Sequence, residues 1–278
     1  MPHSSRPGLA VALPPAMSRT LKVLQLLRLY DERHPVLRAE EIAHGLGVSL
    51  ATAYRCIEDL ESAGLLECIA SGLYGLGPAI VQMDRQIRIA DPLIKAASDV
   101  ARDLCARTRG TILLCRLHGL SVLCVHSVAG CAAPRMVGYE RGRAMPLHRG
   151  APSRAILAHL PEATLQRLID EQAAALGRAG WPTRLPALQQ RLRVLRTQGV
   201  QVSLAEVDAG AQGWAVPLFA AQRLIGSLSV VRHDAGVVPD EHGRIGELLR
   251  RASLRIEARL EDIGVRTAGP QSSQRTRP

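Results

Sequence analysis

No stretch of this 278-residue chain approaches the run of about 20 apolar residues that spans a bilayer, so no membrane-crossing helix is expected. The early run Leu9-Ala10-Val11-Ala12-Leu13 is too short and too proline-flanked for a signal peptide, and a cytoplasmic protein is the expectation. Residues 1–17 are unpatterned and expected to be disordered, with Met17 an alternative start directly before the first helix; residues 263–278 are expected to be disordered too.

The six cysteines form no C-x-x-C pair, and most lie within apolar runs, which is the pattern of reduced core thiols. Cys124 and His126, with His118 and Cys131 near in sequence, leave a zinc or redox site open, but alternate strand residues commonly pack, and neither metal nor cofactor is expected. Also missing are a G-x-S-x-G elbow, a P-loop, H-E-x-x-H and a G-x-G-x-x-G following a strand. His148 and Ser153 offer a base and a nucleophile without an assignable acid, so the chain does not read as an enzyme.

Lysine is nearly absent. Of 35 basic residues only Lys22 and Lys95 are not arginine, and the net charge is +10. Residues 18–80 nevertheless hold more Asp and Glu than Lys and Arg, so the excess lies further along the chain and does not by itself mark a nucleic-acid surface.

What is present is a local signature over Ile42–Arg55. Gly47 can take the positive φ that ends a helix, and Ser49 is a good N-cap for the next. On the second helix, Leu50, Ala53, Ile57 and Leu60 form the expected core stripe, leaving Ala51, Thr52 and Arg55 outward. In a recognition helix such outward residues of the first turns meet base edges: Arg can take both acceptors of guanine, and an Ala or Thr methyl can touch thymine. Glu58, Asp59 and Glu61 in the later turns must then be kept off the phosphates. Two short apolar runs, Leu65–Ile69 and Leu73–Gly77, flank Ala70-Ser71-Gly72 as a hairpin wing, and an amphipathic helix from Ser18 to Tyr30 precedes them. The sum is a winged helix-turn-helix over 18–80, with Ser49, Ala51, Thr52, Tyr54, Arg55 and the wing-tip Ser71 as candidate contacts to double-stranded DNA.

The remaining length requires a second domain. A helix over 78–89, ending before Asp91-Pro92, is the candidate linker. Beyond it the pattern gives a helix at 92–107, strands at 111–117 and 122–128, helices at 152–159, 162–176 and 185–197, strands at 200–207, 213–219 and 224–231, and a last helix from Pro239 to Glu261. This is an α+β order. Pro152 stands where a helix begins, between Arg149 and Arg154, and free amides there would attract a carboxylate. Alternation puts Ser227 and Ser229 on one strand face with Val231, a candidate polar wall.

The chain resembles the IclR (isocitrate lyase regulator) family. The resemblance rests on Ile42-Ala43 through Thr52-x-Tyr54-Arg55, Leu60-Glu61-x-x-Gly64 and Tyr74-Gly75-Leu76-Gly77. It continues in Pro146-Leu147-His148, Ala155-Ile156-Leu157-Ala158-x-Leu160-Pro161, Gly199, Glu206, Gly213-Trp214-Ala215-Val216-Pro217 and Ile225–Val230, so that it covers about residues 18–262. It implies an N-terminal winged helix-turn-helix (18–80), a linker helix (78–91) and a GAF-like α/β effector domain (92–262). It also implies a transcriptional regulator that binds DNA as a homodimer or dimer of dimers, with a small organic or aromatic acid as effector. The alternative is a second domain that serves oligomerisation alone. Candidate effector contacts are Ala151, Pro152, Ser153, Ser203, Gly213, Ser227 and Ser229. Where the family carries a small-residue stretch followed by Gly-Lys, this chain has Gly150-Ala151-Pro152-Ser153-Arg154, and Pro152 removes one amide donor.

Overall fold

Helices α1 (Arg19–Leu26), α2 (Ala39–Leu46) and α3 (Leu50–Ser62) bury Leu26, Ile42, Leu46, Ala53, Ile57 and Leu60 against one another. The computed structural model describes residues 18–130, 138–233 and 241–263; the N-terminal extension, nearly all of the tail, Cys131 and the expected helix start at Pro239 lie outside them. The chain divides into two compact units, one up to Ile89 and one from Ala90.

In the first unit, strands β2 (Leu66–Ala70) and β3 (Leu73–Leu76) form the hairpin, and β3 also pairs with β1 (Val36–Arg38), giving the order β1-β3-β2. β1 has three residues, too few to show alternation in the sequence. One expectation needs correction. Leu50 is 41 % exposed, and Cys56 takes the fourth place in the buried stripe with Ala53, Ile57 and Leu60. Leu50 is the first residue of α3, where helical phase alone does not supply a neighbour to bury it. Helix α4 (Pro78–Ala90) buries none of its side chains, and Val81, Met83, Ile87 and Ile89 are exposed.

The second unit has a six-stranded antiparallel sheet among the described residues, in the order β6-β5-β4-β9-β8-β7. Its strands are β4 (Thr111–His118), β5 (Ser121–Val128), β6 (Ala144–Pro146), β7 (Gln201–Leu204), β8 (Gln212–Ala220) and β9 (Arg223–Arg232). Strand alternation divides the core. Ile112, Leu114, Trp214, Leu228 and Val230 face α5 (Pro92–Thr108) and α9 (Glu241–Asp262). Leu113, Cys115, Cys124 and Val231 belong instead to the core shared with α6 (Ala151–Leu157), α7 (Glu162–Arg178) and α8 (Leu185–Gln198). Asp91 caps α5 by accepting the Leu93 N–H at 2.8 Å, ahead of Pro92, the residue best tolerated in a first turn.

Strand β7 is shorter than expected. It stops at Leu204 because Ala205 turns to φ +50° and its N–H closes on the Ala211 carbonyl at 2.7 Å. That turn carries Glu206 back toward the start of α6.

Candidate DNA interface and candidate effector site

The turn before α3 is built as a helix-turn-helix requires. Gly47 sits at φ +61°, and the Val48 N–H returns to the Ala43 carbonyl at 3.0 Å, closing the end of α2. Ser49 is extended; its Oγ accepts the Thr52 N–H at 3.3 Å and lies 2.9 Å from Thr52 Oγ1. The Thr52 hydroxyl is thus shared with the cap, and Thr52 is half-buried, whereas Ala51, Tyr54 and Arg55 are exposed. A groove of about 170 Å³ runs between α1 and α3, lined by Arg19, Lys22, Thr52, Arg55 and Cys56. Arg19 reaches both oxygens of Asp59, at 2.8 and 3.0 Å, so one of the acids expected to need shielding from phosphate already has a cation. No hydrogen bond or ion pair with a described residue engages the Arg55 or Lys22 side chain. Ser71 is exposed at the hairpin tip beside Gly72 (φ +71°) and does not line this groove.

In the second unit the seven candidate residues converge around the start of α6. Ser203 and Gly213 are register partners across β7 and β8, and a Cβ added to Gly213 would come within 2.8 Å of Ser203 Oγ. That oxygen accepts the Ala151 N–H at 3.1 Å. Ser227 donates to the Pro152 carbonyl at 3.1 Å, and Ser229 donates to the Leu113 carbonyl at 3.3 Å. Ser229 is paired with Ala215, which packs against Ala151 and Ala155. Ser153, Ser227 and Ser229 are fully buried, so their hydroxyls have to be satisfied internally, and they are.

The amides expected to be free at this helix start are already taken. The Gly150 N–H, at a φ of +81°, donates to Glu206 at 3.1 Å, Ala151 donates to Ser203, and Pro152 has no N–H to offer. Ser153 adds a side-chain bond at this turn: its Oγ lies 2.7 Å from the Tyr139 hydroxyl, which donates in turn to the Arg149 carbonyl. Burial pushes the Tyr139 phenol above its ordinary range, so it remains protonated and can keep donating. The carboxylate at this place is the chain's own. Glu206 also pairs with Arg154, and its carbonyl accepts from Arg149 Nε at 2.6 Å. The tie made by Glu206 is not legible as a site feature, because it joins residues far apart in sequence, 52 positions in the case of Arg154 and Glu206, and Tyr139, only 14 positions from Ser153, lies in no motif that marks it.

Cys124, offered above as part of a possible metal or redox group, faces Cys115 across β4 and β5. Among the described residues no three His, Cys, Asp or Glu side chains are grouped to hold a metal ion.

Residues 89–258 match the family model described as bacterial transcriptional regulator IclR C-terminal, and residues 16–68 match the IclR helix-turn-helix domain. Curated relatives include the HTH-type transcriptional regulator KipR of Bacillus subtilis, 24% identical over 86% of this chain and 96% of its own length. The glycerol operon regulatory protein of Streptomyces griseus is 29% identical, with 81% of this chain and 89% of that protein covered. Among solved structures, an IclR-type regulator from Silicibacter sp. TM1040 superposes with a TM-score of 0.72 at 23% identity, covering 87% of this chain and 96% of that one. An IclR homologue from Microbacterium hydrocarbonoxydans, solved in complex with 4-hydroxybenzoate, gives 0.69 at 21% identity, over 88% of this chain and 100% of that one.

Proposed function

The chain belongs to the IclR family of bacterial transcriptional regulators, and on that footing we propose that it reads a specific operator through α3 and changes its grip on that operator when a small organic or aromatic carboxylate binds the second unit. The observation that carries the DNA reading is the capped start of α3, with Arg55 exposed and unpaired beside Lys22. Its partners are then double-stranded DNA and a further copy of the chain, as a homodimer or dimer of dimers. The apolar residues exposed on α4 support that assembly. The proposed working parts are a DNA-binding domain over 18–80, a linker helix over 78–91 and an effector domain over 92–262.

On this reading Arg55 takes a bidentate base contact, while Ala51, Thr52 and Tyr54 contact base edges and backbone, and Ser49 and Ser71 approach the phosphates. The effector lies against the start of α6 and the face of β9 that carries Ser227 and Ser229. Ala151, Pro152, Ser153, Ser203 and Gly213 complete its surroundings. The bound acid of the Microbacterium protein supports this ligand class. Binding favours one subunit arrangement, and DNA affinity shifts only by the difference in effector affinity between arrangements.

A second reading has an observation of its own: the first-turn groups of α6 are satisfied by Ser203, Glu206 and Tyr139, as they would be in a domain that only oligomerises. One titration separates the two. Operator DNA is bound with and without benzoate-class acids, using wild-type protein and Ser229→Leu. A wild-type response that Ser229→Leu abolishes supports the sensor, whereas unchanged DNA affinity with every acid supports oligomerisation alone.

A further inference from the structure

Next to the start of α6, but on the side of the α7–α8 corner, lies a cavity of about 510 Å³ whose lining includes none of the seven candidate effector residues. That volume falls within the ~300–1,000 Å³ typical of small-molecule sites. Its charge is lopsided: Arg149, Arg154, Arg178 and Arg191 line it, against a single carboxylate, Glu206.

That one acid is spent. Glu206 is held by Arg154 and by the Gly150 N–H, leaving the other three guanidinium groups without a carboxylate in the lining. Arg191 is positioned in advance. It donates to the Gly180 carbonyl at 2.6 Å and lies over the Trp181 ring at 4.2 Å, which fixes its plane at the rim. Trp181 is itself tied down, its indole N–H donating to the His148 carbonyl at 3.1 Å. Two buried polar atoms of the lining residues, Arg154 Nε and His148 Nδ1, have no hydrogen-bond partner among the described residues. Unsatisfied buried groups cost free energy, and a ligand that supplies an acceptor recovers it.

We infer that this cavity is a binding site for a small diacid, a compact molecule with two separate anionic groups such as a dicarboxylate or a phosphorylated hydroxy acid. One acid group sits between Arg178 and Arg191, whose exposed heads can converge on it. The other lies deeper, against the half-buried Arg154, with the exposed Arg149 beside it. A monocarboxylate would leave half of the cationic lining uncompensated, and guanidinium groups favour the bidentate geometry that carboxylate and phosphate share. Because the deeper group competes with Glu206 for Arg154, occupancy loosens the tie on the Gly150 N–H. The site does not depend on the acid proposed above for the start of α6.

Isothermal titration of the full chain with succinate, 2-phosphoglycolate and benzoate tests the inference, repeated with Arg178→Glu. Arg178 is exposed and makes no described bond, so circular dichroism should show that its variant folds. Saturable binding of succinate or 2-phosphoglycolate at least tenfold tighter than benzoate, about 1.4 kcal/mol, weakened by salt, is the expected result. Arg178→Glu should weaken it at least tenfold. Because 2-phosphoglycolate carries the larger charge at neutral pH, tighter binding of succinate marks carboxylate as the natural group, and a preference for 2-phosphoglycolate that persists at high salt marks phosphate. Absence of saturable binding by both, or binding indifferent to Arg178→Glu, overturns the proposal. A diacid that binds while no acid alters DNA affinity sustains this site and removes the effector reading alone.

Discussion

The start of α3 and the start of α6 are both helix openings flanked by arginine, and they treat their polar groups in opposite ways. At α3 the cap is local: Ser49 and Thr52 satisfy each other, and among the described residues the exposed Arg55 and the half-buried Lys22 of α1 have no ion-pair partner. At α6 the groups are gathered from distant strands and turns, so that Glu206 and Ser203 occupy the Gly150 and Ala151 amides before any ligand arrives, and Tyr139 holds the Ser153 hydroxyl. A surface meant for DNA can keep its cations free because water solvates them until phosphate replaces it. A buried site has no such reserve, and its groups must bond one another or be left at a cost. A ligand at α6 therefore has to exchange internal bonds for its own, which links binding to a change of structure.

The largest expected effect comes from breaking the α6 side of this contrast. Glu206→Ala leaves the half-buried Arg154 and the Gly150 N–H without their acceptor, and urea unfolding should show the second unit losing about 2–3 kcal/mol. An unchanged midpoint would mean that water replaces the carboxylate and that the tie is not structural.

Arg55→Ala should do the converse, costing no stability but about 1–3 kcal/mol of operator affinity, with relaxed discrimination at one base pair. Equal loss on operator and on random DNA would make Arg55 a phosphate contact.

Ser49→Ala removes a cap and should cost the first unit about 1 kcal/mol in thermal or urea unfolding, with DNA binding weakened only as α3 frays. Retained stability would show that the N-terminus of α3 is held by packing alone.

The smallest effect is one of pH. His148 and His159 lie in the second unit, and burial, helped by Arg149 and Arg196, holds their pKa values below the ordinary 6.5. The unfolded chain then takes up protons first. Stability from these two residues is intact above 6.5 and is lost as the pH falls through that value toward the folded pKa values. Thermal unfolding at falling pH should lower the melting temperature of wild type more than that of His159→Asn. An equal drop would place the sensitivity elsewhere.

The same contrast explains what could be read from the sequence. The opening of α3 is legible because Gly47, Ser49 and the apolar phase lie within one short stretch, and each described helix of the second unit overlaps one expected from the sequence pattern. Leu50 departs from its expected burial because phase gives a direction but not a neighbour. The three-residue strands β1 and β6 were invisible because pairing defines them, Leu37 with Tyr74 and Met145 with Val122. The candidate residues around α6 were named from strand alternation and family resemblance. What holds them was hidden, since Ser227 meets Pro152 across 75 positions and Glu206 reaches Gly150 across 56.

The most direct test is a footprint of the purified protein on the DNA upstream of its own gene, titrated with and without small aromatic and aliphatic acids. The account predicts a protected pseudo-palindrome, lost in Arg55→Ala, whose occupancy changes with at least one acid. Uniform affinity for operator and random DNA, indifferent to Arg55 and to every acid, would contradict it.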